Sequence, residues 1–275
     1  MTLSTIRNNP AKQKKVKTKK QKAIAATCAV AFWLLVWHVV SLCVGSEIVL
    51  VSPVKVVQTL FTVIFDPDFL KTVWYSAARI LGGFFTALTL GTVLGWVASR
   101  FWVVETLLRP ITAVIKATPV ASFIILVLLW FSGKNLSVII SMLMVFPVIY
   151  MNVLEGIRSA DEKLLEMAQV FRLSVGKKLL YIYLPAVAPF FVSACSVSLG
   201  LCWKSGIAAE VIGTPDGSIG AVFYQTKIFL QTSELLAWTV VVVAVSVAFE
   251  KLFMFLLRLV LKKLKMEDVL NGKRA

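Results

Sequence analysis

Long apolar runs separated by short polar stretches occupy most of this chain. The first run is Ala23 to Val44, and others cover about 73–98, 104–132, 136–154, 186–212 and 235–257. Each comes close to or exceeds the roughly 20 residues an α-helix needs to cross a bilayer. A chain in hydrocarbon must satisfy its own backbone polar groups, so every run predicts a helix. The pattern predicts an all-α, polytopic membrane protein with about six transmembrane helices. The third run changes character along its length. It is amphipathic around Arg109 and Pro110, then strongly apolar through VASFIILVLLWF.

Composition agrees: 59% of the residues are hydrophobic and 16% charged. That is too apolar for a soluble domain and leaves little polar surface for a second one. A net charge of +15 would suggest nucleic acid in a soluble protein. Here the basic residues flank the apolar runs, as orientation signals do, and no nucleic-acid partner is expected. Residues 1–22 hold Arg7, seven lysines and no acid, and predict a disordered basic tail. The run that follows is longer than a signal-peptide core and reads as the first span, 23–44. Arg100, the 155–184 loop and a second basic tail at 261–275 fall on the same side as the first tail. Lys55, Lys71, Lys134 and Lys227 fall on the other. The bias predicts a multi-pass membrane protein with cytoplasmic termini. Most tryptophans, Trp238 among them, fall near span ends, as interfacial anchors do.

The chain offers no catalytic set. Cys28, Cys43, Cys195 and Cys202 form no CxxC pair, and His38 is the single histidine. Neither a metal site, a disulfide nor a Ser/His triad is expected. No glycine-rich phosphate loop followed by Lys-Ser/Thr is present, so ATP hydrolysis is not expected of this chain. No internal repeat marks a transporter built of duplicated halves.

The polar stretch before the fifth run is the most distinctive. Leu164, Leu165, Ala168 and Phe171 recur at helical spacing and predict one apolar stripe, with Glu162, Glu166 and Gln169 opposite. Ser174 fits the N-cap of a second short helix, Val175–Tyr183, with Leu179, Leu180 and Ile182 turned inward. Pro185 sits at the start of span five, where a missing donor costs little. Spacing alone leaves two readings: a handle held by a partner, or an amphipathic helix pair lying on lipid headgroups.

At these residues the chain resembles the ABC-importer permeases. Glu166, Ala168, Ile182, Leu184 and Pro185 match the EAA signature, which reads Glu-Ala-Ala, three residues, Gly, nine residues, Ile, one residue, Leu-Pro. Lys116-Ala-Thr-Pro119, Trp130-Phe131-Ser132-Gly133, Phe146-Pro147, WKSGIAAEVIG from Trp203 to Gly213, and Gly217-Ser218-Ile219-Gly220 are similar to the nitrate/sulfonate/taurine-type branch. The likeness spans about 70–260. Two positions depart: Met167 replaces the first alanine, and Arg172 stands where the signature has glycine. If that glycine takes a left-handed turn, an arginine there costs on the order of 1 kcal/mol.

The resemblance implies a type I ABC importer permease fold, with a transmembrane domain over 70–260 and cytoplasmic coupling helices at 161–184. It implies a cytoplasmic ATPase that holds ATP and magnesium, an extracytoplasmic solute-binding protein, and a second permease copy in a homodimer. This chain itself would bind no cofactor. Leu164, Leu165, Ala168 and Phe171 are the candidate docking ridge and Glu166 its polar anchor, with Arg172, Ser174, Leu184 and Pro185 shaping the joint. The implied cargo is a small solute such as nitrate, a sulfonate or a vitamin precursor.

Charges within spans are costly and therefore functional leads. Trp203, Lys204 and Glu210 are candidates for the translocation path, with Lys204 attracting an anion; pairing with another span is the competing role. Trp203 and Glu210, seven residues apart, share a helix face that Lys204 does not. Lys116 and Pro119 are candidates for a kink near the gate, with Lys116 also placed to snorkel. Ser193, Ala194, Cys195, Ser196, Ser198 and Gly200 in span five suit close helix packing or solute space. An ion-coupled secondary transporter acting without an ATPase is the alternative function. It needs a membrane-centred carboxylate, of which the sequence holds few.

Overall fold

The computed structural model describes residues 19–264, and the two basic tails lie largely outside them. Among the described residues all regular structure is helical. Residues through Lys55 form one compact unit and those from Val56 a second.

In the first unit, α1 (Lys19–Val44) exposes Phe32, Trp33, Leu35 and Leu42. A helix apolar on every side suits lipid or other membrane helices. The chain then folds back: Ser41 Oγ donates to the Leu50 carbonyl at 3.0 Å, and Lys55 pairs with Glu47 at 3.8 Å.

The second unit is built on three long helices. These are α3 (Phe69–Arg100), α6 (Gly133–Arg158) and α9 (Leu184–Gly213), with α6 between the other two. Gly83, Ala87, Gly91 and Gly95 recur every four residues along α3, so they fall on one face. That face meets α6. A Cβ on Gly91 would lie 2.9 Å from Ile149 Cβ, and one on Gly95 3.0 Å from Val153 Cβ. Small residues let backbones approach where lipid gives no hydrophobic drive to association. On α9, Gly206 plays the same part against Ile80 and Ser141. Phe84, Ile149, Leu199, Cys202 and Trp203 fill the core between the three.

These contacts fix the directions. Gly95 meets Val153, and Gly156 meets Val187, whereas Gly133 abuts Gly213. The C-terminal ends of α3 and α6 and the start of α9 therefore share one end of the bundle. Leu261 packs on Ala188, which brings the C-terminal end of α11 (Thr232–Lys263) there too.

The expected third span is divided into two helices at a sharp bend. It consists of α4 (Trp102–Ala117) and α5 (Val120–Trp130), bent by 110° at Thr118-Pro119. A residue before proline is pushed out of the helical region, and Thr118 is extended with ψ 134°. The kink expected at Lys116 and Pro119 is present. Among the described residues five helices are long and apolar enough to cross a membrane, or six if the bent pair is counted as one span.

Two helices escaped the hydropathy reading. α2 (Pro53–Ile64) has only 12 residues, although Ser52-Pro53 is a cap residue followed by proline at the first helical position. α10 (Ile219–Ile228) is capped by Ser218, whose hydroxyl accepts from Ala221 N–H at 3.0 Å. Trp238 is no interfacial anchor: it is buried and lies against Phe69, ring centroids 5.5 Å apart.

Candidate functional site

At the end shared by Arg100 and Arg158, the chain leaves the bundle in a helical elbow. Glu105 at the start of α4 pairs with Arg158, tying that helix to this end. Asp161 caps α7 (Glu162–Val170), its carboxylate accepting from Lys163 N–H at 2.9 Å. The helix ends in a Schellman motif. Leu173 N–H donates to Ala168 O at 2.9 Å and Arg172 N–H to Gln169 O at 3.0 Å. Such a turn needs a left-handed residue, and Arg172 takes it at φ 48°. The strain foreseen for an arginine at the signature's glycine is therefore present.

The stripe expected along α7 divides in two. Ala168 is fully buried, packed with Ala160 and Ile182, and Leu165 is half-buried beside them. These two hold the elbow to its own chain and do not belong to an outer ridge. Leu164, Met167, Val170, Phe171 and Val175 face outward, Val170 at 79% and Phe171 at 71% exposure. Glu166 and Arg172 are exposed among them. The resemblance implied an outer ridge that included Leu165 and Ala168, and spacing cannot tell which side of a stripe meets the chain's own bundle.

Ser174 stands at the N-cap of α8 (Val175–Lys178), but its hydroxyl makes no cap bond. Helix α8 does not stop before span five. Five residues, Leu179–Tyr183, form a π turn that joins it to α9, and Leu184 N–H donates to Leu179 O. Pro185 lacks a donor and its ring crowds the carbonyl four residues back; a widened turn accommodates both. The extra residue in that turn rotates what precedes it. Ile182 is buried as expected, while Leu179 and Leu180, expected inside, are exposed.

The opposite end is tied by a polar latch. Ser76 Oγ on α3 donates to Glu210 Oε2 on α9 at 2.6 Å and accepts from Ile219 N–H at 2.9 Å. Gly220 N–H reaches the same Oε2 at 3.4 Å. A Cβ on Gly220 would overlap Glu210 itself, so only glycine lets α10 approach. Arg79 Nε donates to Lys134 O at 2.7 Å, and its guanidinium lies 3.8 Å over the Tyr75 ring.

Glu210 and Trp203 are both buried on the shared face, packed in the chain's own core. Lys204 points elsewhere. Ser193, Val197 and Lys204 are exposed, and a Cβ at Gly200 would meet nothing within 4 Å. Spaced four, three and four residues apart, they make one small, open stripe along α9. Ala194, Cys195 and Ser198 lie on the packed side. The small-residue run thus serves packing on one face and leaves space on the other.

The family model for the inner-membrane component of binding-protein-dependent transport systems matches residues 87–266. The chain belongs to this family. SsuC of Bacillus subtilis (strain 168), a permease protein named for aliphatic sulfonates transport, is 29% identical over 216 residues, 78% of each chain. The taurine transport system permease protein TauC of Escherichia coli (strain K12) is 26% identical over 220 residues, covering 78% of this chain and 80% of that one. The nitrate import permease protein NrtB of Synechocystis sp. is 25% identical over 214 residues, 74% of this chain and 76% of that one. A crystal structure of an amino acid ABC transporter with histidines shares the fold, with TM-score 0.50 over 70% of this chain and 96% of that chain at 16% identity. The protein is the permease subunit of an ABC importer, similar to permeases named for sulfonates, taurine and nitrate, and not a secondary transporter working alone.

Sequence reasoning missed Ser76 and Gly220 as partners of Glu210. The signal available was Ser218-Ile219-Gly220, a cap followed by glycine, close after a buried acid.

Proposed function

We propose that the permease carries a small solute bearing an anionic oxygen group between two copies of this chain, driven by a separate cytoplasmic ATPase that binds ATP and magnesium. The carrying observation is the elbow. It presents Leu164, Met167, Val170, Phe171 and Val175 outward on a frame whose inner side, Ala168 and Leu165, is packed on the bundle. A rigid apolar knob with Glu166 and Arg172 beside it suits a groove in the ATPase. Packed helices then carry its displacement into α9, giving a two-state membrane element biased by the partner's state. Arg100, Arg158, Lys163, Arg172, Lys177 and Lys178 cluster at the elbow end, which supports placing that end in the cytoplasm. An extracytoplasmic binding protein would deliver the solute to the end held by the Glu210 latch.

The anion reading rests on Lys204, which stands exposed on the open stripe of α9. A sulfonate, taurine and nitrate, named for the relatives, all carry negative oxygen groups. The reading is tested by reconstituting the permease with its cognate ATPase and binding protein and screening solutes on that binding protein. A bound oxyanion that enters vesicles only with ATP is expected. A neutral or cationic ligand overturns the cargo assignment. Glu166→Lys and Phe171→Asp are expected to abolish ATP-driven uptake while leaving the chain in the membrane. Normal uptake in both overturns the elbow's role.

A further inference from the structure

Near the elbow, α3, α6 and the start of α9 leave a groove of about 400 Å³. That lies within the range of ligand sites, roughly 300–1,000 Å³. Val93 and Trp96 form one wall, Val153 and Ile157 the floor, and Tyr183 and Val187 the other wall. The lining is apolar apart from Thr92, whose hydroxyl is already given to the Leu88 carbonyl at 2.6 Å. The floor is buried, whereas Val93 and Trp96 are exposed, so the groove opens outward. Trp96 and Tyr183 meet edge to face across it, centroids 5.7 Å apart.

The rim carries charge. Arg100 follows Trp96 by four residues on the same helix, hence on the same face one turn nearer the end. Lys177 and Lys178 immediately precede Leu179, which also lines the groove. Among the described residues none of these three cations has an acidic side chain within salt-bridge distance. An apolar trough, an amphipathic aromatic pair at its edge and unpaired cations beyond it follow the order of a phospholipid from chain to headgroup.

We propose that this groove is a binding site for an anionic phospholipid, one acyl chain lying between Trp96 and Val187 and the phosphate held by Arg100, Lys177 and Lys178. The occupant touches Leu179 and Tyr183, both in the π turn that joins the elbow to α9. The site is thus placed where a lipid bears on the joint that transmits motion. The proposal rests on the chain's being embedded in a membrane and not on the identity of the cargo.

The test uses the full-length chain in lipid nanodiscs of phosphatidylcholine doped with phosphatidylglycerol, either lipid carrying brominated acyl chains. The Trp96 signal is taken as the fluorescence difference between the unaltered chain and Trp96→Phe. Brominated phosphatidylglycerol is expected to quench that signal at several-fold lower mole fraction than brominated phosphatidylcholine. The combined variant Arg100→Gln, Lys177→Gln, Lys178→Gln is expected to erase the difference without abolishing quenching. Val93→Phe, which narrows the trough, is expected to weaken quenching by both lipids. Equal quenching of the unaltered chain by the two lipids overturns the headgroup site. No quenching of Trp96 while other tryptophans are quenched overturns the proposal altogether, and shows the groove covered by protein, such as a second copy. The comparison of lipids on the unaltered chain stands whether or not the cation variant folds.

Discussion

Ser76 on α3 and Glu210 on α9 are 134 residues apart in sequence, yet the serine hydroxyl donates to the carboxylate at 2.6 Å in a fully buried setting. With Gly220 N–H on the same oxygen, the bond draws three helices together at one end of the bundle. A buried donor stripped of its acceptor costs about 1–3 kcal/mol. Glu210→Ala is therefore expected to lower the thermal unfolding midpoint of the purified chain, and Glu210→Gln, which keeps an acceptor oxygen, to lower it much less. An alanine variant that melts normally but fails to transport would return Glu210 to the translocation path.

The α3 ladder makes a second prediction. A Cβ on Gly91 falls 2.9 Å from Ile149 Cβ and 3.1 Å from Tyr150 N, so helix α6 must move to admit it. Overpacking a fitted interface costs typically about 1–3 kcal/mol. Gly91→Ala is expected to lose stability on that scale. Gly200→Ala, with nothing within 4 Å of the new carbon, is expected to gain slightly from better helix propensity. Thermal unfolding of the two variants side by side checks the contrast; equal losses would mean α9 packs on something at Gly200.

The difference between those two glycines marks how far the sequence can be read. Hydropathy located the long helices because a bilayer sets their length. It did not reveal which face of each helix meets its neighbours, since an apolar residue in a membrane protein suits core and lipid alike. Hence Ala168, Leu165 and Trp203 were assigned outward or to a path, although each packs inside. The left-handed turn at Arg172 was legible because a glycine signature carries backbone geometry, not burial. The π turn before Pro185 was not, since hydropathy carries no signal for one extra residue in a helical turn.

Arg172 supplies a third prediction. At φ 48° a side chain strains the backbone by about 1–2 kcal/mol. Glycine removes that strain but adds freedom to the unfolded chain, which offsets part of the gain. Arg172→Gly is expected to raise the stability of the isolated chain by up to about 1 kcal/mol, read from denaturation. Arg172→Val, whose branched side chain tolerates the turn poorly, is expected to lower it. If arginine also contacts the ATPase, the glycine variant will be more stable alone yet captured less well by that subunit. A loss of stability in the glycine variant would show that the Arg172 side chain holds the elbow by itself.

Lys204 carries the last prediction. Its ammonium is exposed on a helix that spans the membrane, next to positions where α9 offers only Ser193, Val197 and Gly200. A charge left on a membrane-spanning helix is costly unless water, solute or a partner meets it. If the open stripe faces the path, the charge works by attraction, and its sign matters more than its shape. Lys204→Arg is expected to keep most uptake, Lys204→Gln to reduce it several-fold, and Lys204→Glu to abolish it for an anionic solute. Co-purification with the ATPase should be unchanged in all three, because the elbow lies at the other end of α9. Uptake that falls equally in the arginine and glutamate variants, with assembly lost, would place Lys204 in contact with the second copy and remove it from the path.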